Sequence, residues 1–178
     1  RNMFGYLLAY YYIKSIDHLG LLDKLTEDTD FGVVTYEIDG KLISRDLLDS
    51  ILEIYFLDDQ LDILSRDDLT ILDIGAGYGR LAHRLITANP AIQSYLCTDA
   101  IPVSSFISEY YLGYRGIKDR SRVVPLDKIH DELLPGSVQL AVNIHSFSEC
   151  TFPMIEWWID LIAEKKVPYL MIVPNSIK

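Results

Sequence analysis

The densest chemistry in the sequence lies in Leu72-Asp73-Ile74-Gly75-Ala76-Gly77-Tyr78-Gly79-Arg80. Glycines let a backbone turn sharply and approach a ligand closely. A helix starting behind such a turn offers unpaired N–H groups. The spacing is G-x-G-x-G, whereas a dinucleotide fingerprint is G-x-G-x-x-G, whose last glycine position is Arg80 here. Asp73, two residues before the first glycine, would repel a pyrophosphate. It suits a cationic ligand instead, such as the amino group and sulfonium of S-adenosylmethionine. Both features disfavour an NAD-binding domain. A ligand-free strand-to-helix turn is the plainer alternative, and three glycines with an acid argue against it.

Asp99 follows Asp73 by 26 positions, room for a helix and a returning strand. A carboxylate at a strand end can accept hydrogen bonds from ribose hydroxyls. The competing role is an N-cap for a helix that starts at Pro102. The second cluster is Asn143-Ile144-His145-Ser146-Phe147-Ser148-Glu149. Methyl transfer to a hydroxyl needs a base for the departing proton. His145 is a candidate, because imidazole titrates near neutrality. Glu149 could act directly or orient the histidine. The plainer alternative has His145 capping a strand and Glu149 starting a helix. No spacing argues for a metal site.

These residues need strands to carry them, and the texture changes near Asp67-Asp68. After it, short apolar runs alternate with helical patterns. Strands are expected over residues 69–74, 94–98, 122–126, 138–144 and 169–173, and helices over 80–88, 102–114 and 154–165. That alternation means a doubly wound α/β fold with a mostly parallel sheet, which binds ligands beyond the carboxyl ends of its strands. Before the change the pattern is mostly helical. Residues 3–25 suit one or two amphipathic helices, and residues 33–38 are β-prone. Asp39-Gly40 signals a hairpin turn, Lys41-Leu42-Ile43 a short return strand, and Ser44 caps a helix running to about Leu57. The expected organisation is thus an N-terminal helical extension or cap over residues 1–68, with a small hairpin, and a cofactor-binding domain over 69–178. The Tyr-rich stripe of residues 3–13 is expected to be core or a lid over the acceptor. A homo-oligomer contact is its alternative use.

The chain has 178 residues, 49% hydrophobic and 24% charged, which supplies a core and excludes disorder. Net charge is −10, from 26 acidic and 16 basic residues. Such a surface repels phosphate backbones, so nucleic acid is not an expected partner. Cys97 and Cys150 form no CxxC pair, and a reducing, cytoplasmic setting is the default. No apolar run reaches the ~18 residues of a membrane helix.

The glycine segment with its acid resembles motif I of the class I methyltransferases. Taken with Tyr95-Leu96-Cys97-Thr98-Asp99, Tyr110-Tyr111-Leu112 and Asn143-Ile144-His145-Ser146-Phe147-Ser148-Glu149, residues 44–178 resemble the sugar O-methyltransferases. Cys150 departs from that family's methionine. The resemblance implies S-adenosylmethionine as cofactor and a saccharide or sugar-nucleotide acceptor, in bacterial glycan modification. It implies that Asp73, Gly75, Gly77 and Gly79 hold the methionine end of the cofactor and Asp99 the ribose. Asp127, after the third strand, would face the adenine amino group. Asn143, with His145 and Glu149, would line the acceptor side next to the cofactor. A phenolic or nitrogen acceptor, and a non-catalytic scaffold, are the competing functions. A class I methyltransferase sheet usually has seven strands. This chain begins with Arg1 and ends five residues after its fifth strand, so a fragment lacking the last strands is expected.

Overall fold

The computed structural model of the chain describes residues 3–175. They form two compact units. One reaches to Ser65 and includes Thr87–Pro90; the other comprises Arg66–Ile86 and Ala91 onward.

The first unit contains α1 (Met3–Ile16), α2 (Leu21–Lys24), a hairpin of β1 (Thr35–Ile38) and β2 (Lys41–Ser44), and α3 (Arg45–Leu61). The hairpin closes where the sequence marks it. Asp39 and Gly40 take φ of 52° and 74°, the left-handed pair that a two-residue turn needs. Ser44 caps α3, its Oγ accepting from the Leu47 N–H at 2.9 Å. The helix runs one turn past Leu57, because Asp58-Asp59-Gln60 contains no breaker. It stops where Asp62 turns left-handed, φ 53°. Tyr10 and Ile13 of α1 are buried, as are Leu47, Ile51 and Ile54 of α3. Phe4, Tyr11 and Tyr12 of α1 are exposed, and Tyr6 is half-buried against Tyr36.

The second unit is built on five parallel strands: β3 (Thr70–Ile74), β4 (Ser94–Thr98), β5 (Ser121–Val123), β6 (Leu140–Ile144) and β7 (Leu170–Val173). Their order across the sheet is β5-β4-β3-β6-β7. Helices α4 (Arg80–Ala88), α5 (Pro102–Tyr114), α6 (Ile129–Glu132) and α7 (Phe152–Glu164) connect them. This is a doubly wound α/β sheet. Successive crossovers run one way from β3 to β5, then reverse to β6 beside β3. The reversal opens a crevice at the carboxyl ends of β3 and β6. One face packs Leu72, Ile74, Leu96 and Ala141 with Trp158 and Leu161 of α7.

One strand differs from expectation. Residues 122–126 read as extended, but β5 ends at Val123 and Leu126–Lys128 form a 3₁₀ turn. Pro125 has no N–H to continue the ladder. The last bond, from the Val124 N–H to the Cys97 carbonyl, is 2.8 Å. No helix among the described residues is long and apolar enough to cross a membrane.

Candidate active site

After Ile74 the chain turns through Gly75, Gly77 and Gly79, with φ of 75°, 57° and 88°. Their surroundings differ. A Cβ on Gly75 would collide with Cβ and Oγ of Ser146, so the loop after β6 packs directly on this residue. A Cβ on Gly79 would lie 3.0 Å from Ser108 Oγ and 3.3 Å from Leu112, both on α5. A Cβ on Gly77 would meet nothing within 4 Å. Gly77 is therefore the glycine that faces open space. The Gly75 and Ala76 N–H groups both donate to the Thr98 carbonyl, at 2.9 and 3.1 Å, which ties the loop to the end of β4.

Asp99 follows the end of β4 and turns back to the loop. Its Oδ2 accepts from the Gly77 N–H at 3.0 Å and its Oδ1 from the Ile101 N–H at 2.8 Å. It does not cap α5, whose N-cap position is Ile101. Asp73 lies deeper. Its carboxyl is buried in the sheet and accepts from the Tyr95 hydroxyl at 2.9 Å. Burial, with the Asp73 charge adding to it, pushes the neighbouring Cys97 thiol well above its usual range. That thiol is neutral and no nucleophile.

At the end of β6, Asn143 is fully buried, and its amide nitrogen donates to the Ile74 carbonyl and to Ser146 Oγ, both at 2.9 Å. His145 follows with φ 69° and ψ −32°, a conformation a side-chain-bearing residue seldom adopts. Its N–H donates to the Val173 carbonyl at 2.7 Å. Its ring forms no hydrogen bond among the described residues. Ser146–Glu149 then form a 3₁₀ turn. Glu149 is exposed, and its contact is with the Asn175 amide at 3.4 Å, not with His145.

Two clefts run along this rim and share Asp99, Ala100, Leu126 and Met154. One, of about 660 Å³, takes in Asp127, Pro102, Ser105 and Trp157. The other, of about 400 Å³, takes in Gly75, His145, Ser146, Glu149 and Trp158. Both sizes suit small molecules. Among the candidate residues, the structure thus brings Gly75, Asp99, Asp127, His145 and Glu149 to the cleft walls. Asp127 stands exposed, 3.9 Å from Lys128 Nζ. Asp73, Gly79 and Asn143 lie behind the walls, and Gly77 meets them through Asp99. The acidic side chains of the lining are Asp99, Asp127 and Glu149, and no lysine or arginine lines either cleft among the described residues. With the open space at Gly77, that donor set fits a ligand carrying positive charge.

Sequence reasoning missed Met154, Trp157 and Trp158. The two indoles meet edge to face, 4.8 Å apart. A signal was available: both tryptophans of the chain follow Glu149 by eight and nine positions, on one helix.

No protein-family model matches the sequence, and no curated protein matches it. Solved structures do. The methyltransferase domain of bacterial CtHen1-CN aligns with a TM-score of 0.55 and 13% identity, over 68% of this chain and 65% of that one. The mitomycin 7-O-methyltransferase MmcR aligns at 0.52 and 19%, over 74% and 40%. WbdD, solved with a kinase inhibitor, aligns at 0.51 and 15%, over 68% and 29%. The fold is that of the class I methyltransferases. At these identities the likeness is one of fold, and this chain spans less than two thirds of the length of each of the three. Within the methyltransferase fold, the Gly75–Gly79 loop and the Asn143–Glu149 segment occupy the two lips of the switch-point crevice.

Proposed function

We propose that the chain carries the cofactor-binding part of an S-adenosylmethionine-dependent O-methyltransferase that acts on a sugar hydroxyl, in bacterial glycan modification in the cytoplasm. In this reading residues 69–178 are the catalytic domain and residues 1–68 an N-terminal extension. The observation that carries it is His145. An imidazole without a hydrogen-bond partner among the described residues stands in the cleft wall, in a rare backbone conformation, beside the glycine loop. Such outliers cluster at functional sites.

When bound, S-adenosylmethionine supplies an electrophilic methyl group and a neutral leaving group. The Gly77 loop and Asp99 would hold its methionine and ribose portions, and Asp127 its adenine. Asp73 would contribute a negative field from beneath the loop. His145 accepts the proton of the acceptor hydroxyl and returns it to solvent. Glu149, too far from the histidine to hydrogen-bond it, holds negative charge on the acceptor side. The lining carboxylates Asp99, Asp127 and Glu149 disfavour a phosphorylated acceptor pose at this lip, so the neutral saccharide is preferred over the sugar nucleotide. A second reading, a phenolic acceptor, has the Met154, Trp157 and Trp158 wall in its favour.

Turnover of labelled S-adenosylmethionine with neutral sugars, sugar nucleotides and catechols tests this. Label reaching only catechols would overturn the sugar reading. His145→Ala should lower turnover about 10²–10⁴-fold and leave S-adenosylhomocysteine affinity within a few-fold. Absence of binding heat with S-adenosylhomocysteine at high micromolar concentration would favour a scaffold.

A further inference from the structure

The two lips of the crevice are joined by one side chain. Asn143 is paired with Ile74 in the β3–β6 register. Its carboxamide is fully buried and lines neither cleft. One of its N–H groups meets the Ile74 carbonyl, the last before the glycine loop, and the other meets Ser146 Oγ. Its Oδ1 accepts from the Phe147 N–H at 3.0 Å. The bonds to Ser146 and Phe147 straddle His145, so the chain between must double back there. The remaining main-chain groups of His145 are also held, its N–H by Val173 and its carbonyl by the Ser148 N–H at 2.9 Å. Ser146 in turn packs on Gly75. Only a carboxamide satisfies this set. It needs two donors facing two oxygens and one acceptor facing an N–H. A carboxylate would place an oxygen against the Ile74 carbonyl.

We infer that Asn143 is a positioning residue that couples the glycine loop to His145, so that its bonds set both the cofactor-binding backbone and the orientation of the base. The inference rests on the methyltransferase reading for what the two lips do, but the coupling is a property of the free chain. The test uses Asn143→Asp, which keeps size and acceptor but loses both donors, and Asn143→Ser, which reaches neither oxygen. In NMR spectra of the unliganded protein, both should move the Gly75 and Gly77 amides and the His145 ring together, leaving the β1–β2 hairpin in place. S-adenosylhomocysteine should bind about tenfold more weakly by calorimetry. A fall in melting temperature with unchanged loop amides, His145 ring shifts and affinity would show a merely structural asparagine and overturn the inference. If neither variant folds, hydrogen exchange on the native chain decides. A Phe147 N–H as protected as the sheet amides supports the clamp, and exchange at loop rates removes it. Failure of the wild-type chain to bind S-adenosylhomocysteine would count against the proposed function alone, since the coupling is read without ligand.

Discussion

Gly75 is set by its neighbour, since any Cβ there runs into Ser146, while Gly77 faces space that nothing fills. Substitutions at the two should therefore separate. Gly75→Ala should destabilise the fold by about 2–4 kcal/mol, the sum of overpacking and a left-handed backbone. Adding Ser146→Gly should recover only part of the overpacking share, because it also removes the Oγ to which Asn143 donates. Urea titration of the single and double variants measures both, and a Gly75→Ala protein of unchanged stability would contradict the packing. Motif spacing alone shows three equivalent glycines, because a sequence does not print which atoms approach each Cα. The same holds for the acids. Asp73 lies one residue before the end of β3 and Asp99 one residue after the end of β4, yet Asp73 is sunk beside Tyr95 and Asp99 faces the loop. The difference lies in which way each side chain leaves the sheet.

Elements were legible where their signals are local. The spans of α4, β4 and α5 fall where periodicity, Asn89-Pro90 and Pro102 place them. The α3 N-terminus is such a case, with Ser44 bonded to the Leu47 N–H and also to Glu27. Ser44→Ala should cost about 1 kcal/mol, read as a lower denaturation midpoint, and Ser44→Asp should not restore it, because its carboxylate would face that of Glu27. The misplacements were at ends. β5 is cut short by a proline that an apolar window passes over, and α3 continues through an acidic turn that composition reads as loop. At β5 one residue's missing N–H outweighed the average of its neighbours; at α3 a polar turn without a breaker let the helix run on.

For the molecule as a whole, the pH dependence of stability carries a signature of the first unit. Tyr55 of α3 is buried, its hydroxyl donating to Asp17 at 2.7 Å and accepting from the Leu19 N–H at 3.0 Å. Burial first, and the Asp17 carboxylate after it, push the phenol up to about 12. An unfolded tyrosine titrates near ~10. Its folded value is the higher one, so the stabilisation is complete below about pH 10 and is lost as pH rises through about 12. Denaturation midpoints between pH 9 and 12 should fall in the wild type and fall less steeply in Tyr55→Phe. Equal slopes would remove Tyr55 as the cause.

The sequence by itself determined the alternation that makes a parallel doubly wound sheet, the hairpin, and the two segments that meet at the crevice. Each is written in local periodicity and turn chemistry, which act between residues a few positions apart. The tertiary structure alone decided what those segments do to one another. Asn143 lies 69 positions from Ile74 and donates to its carbonyl. Gly75 lies 71 positions from the serine that forbids it a side chain. Trp157 and Trp158 reach the crevice through the packing of α7. Long-range hydrogen bonds and steric contacts depend on how strands register, and no local pattern in the chain records that.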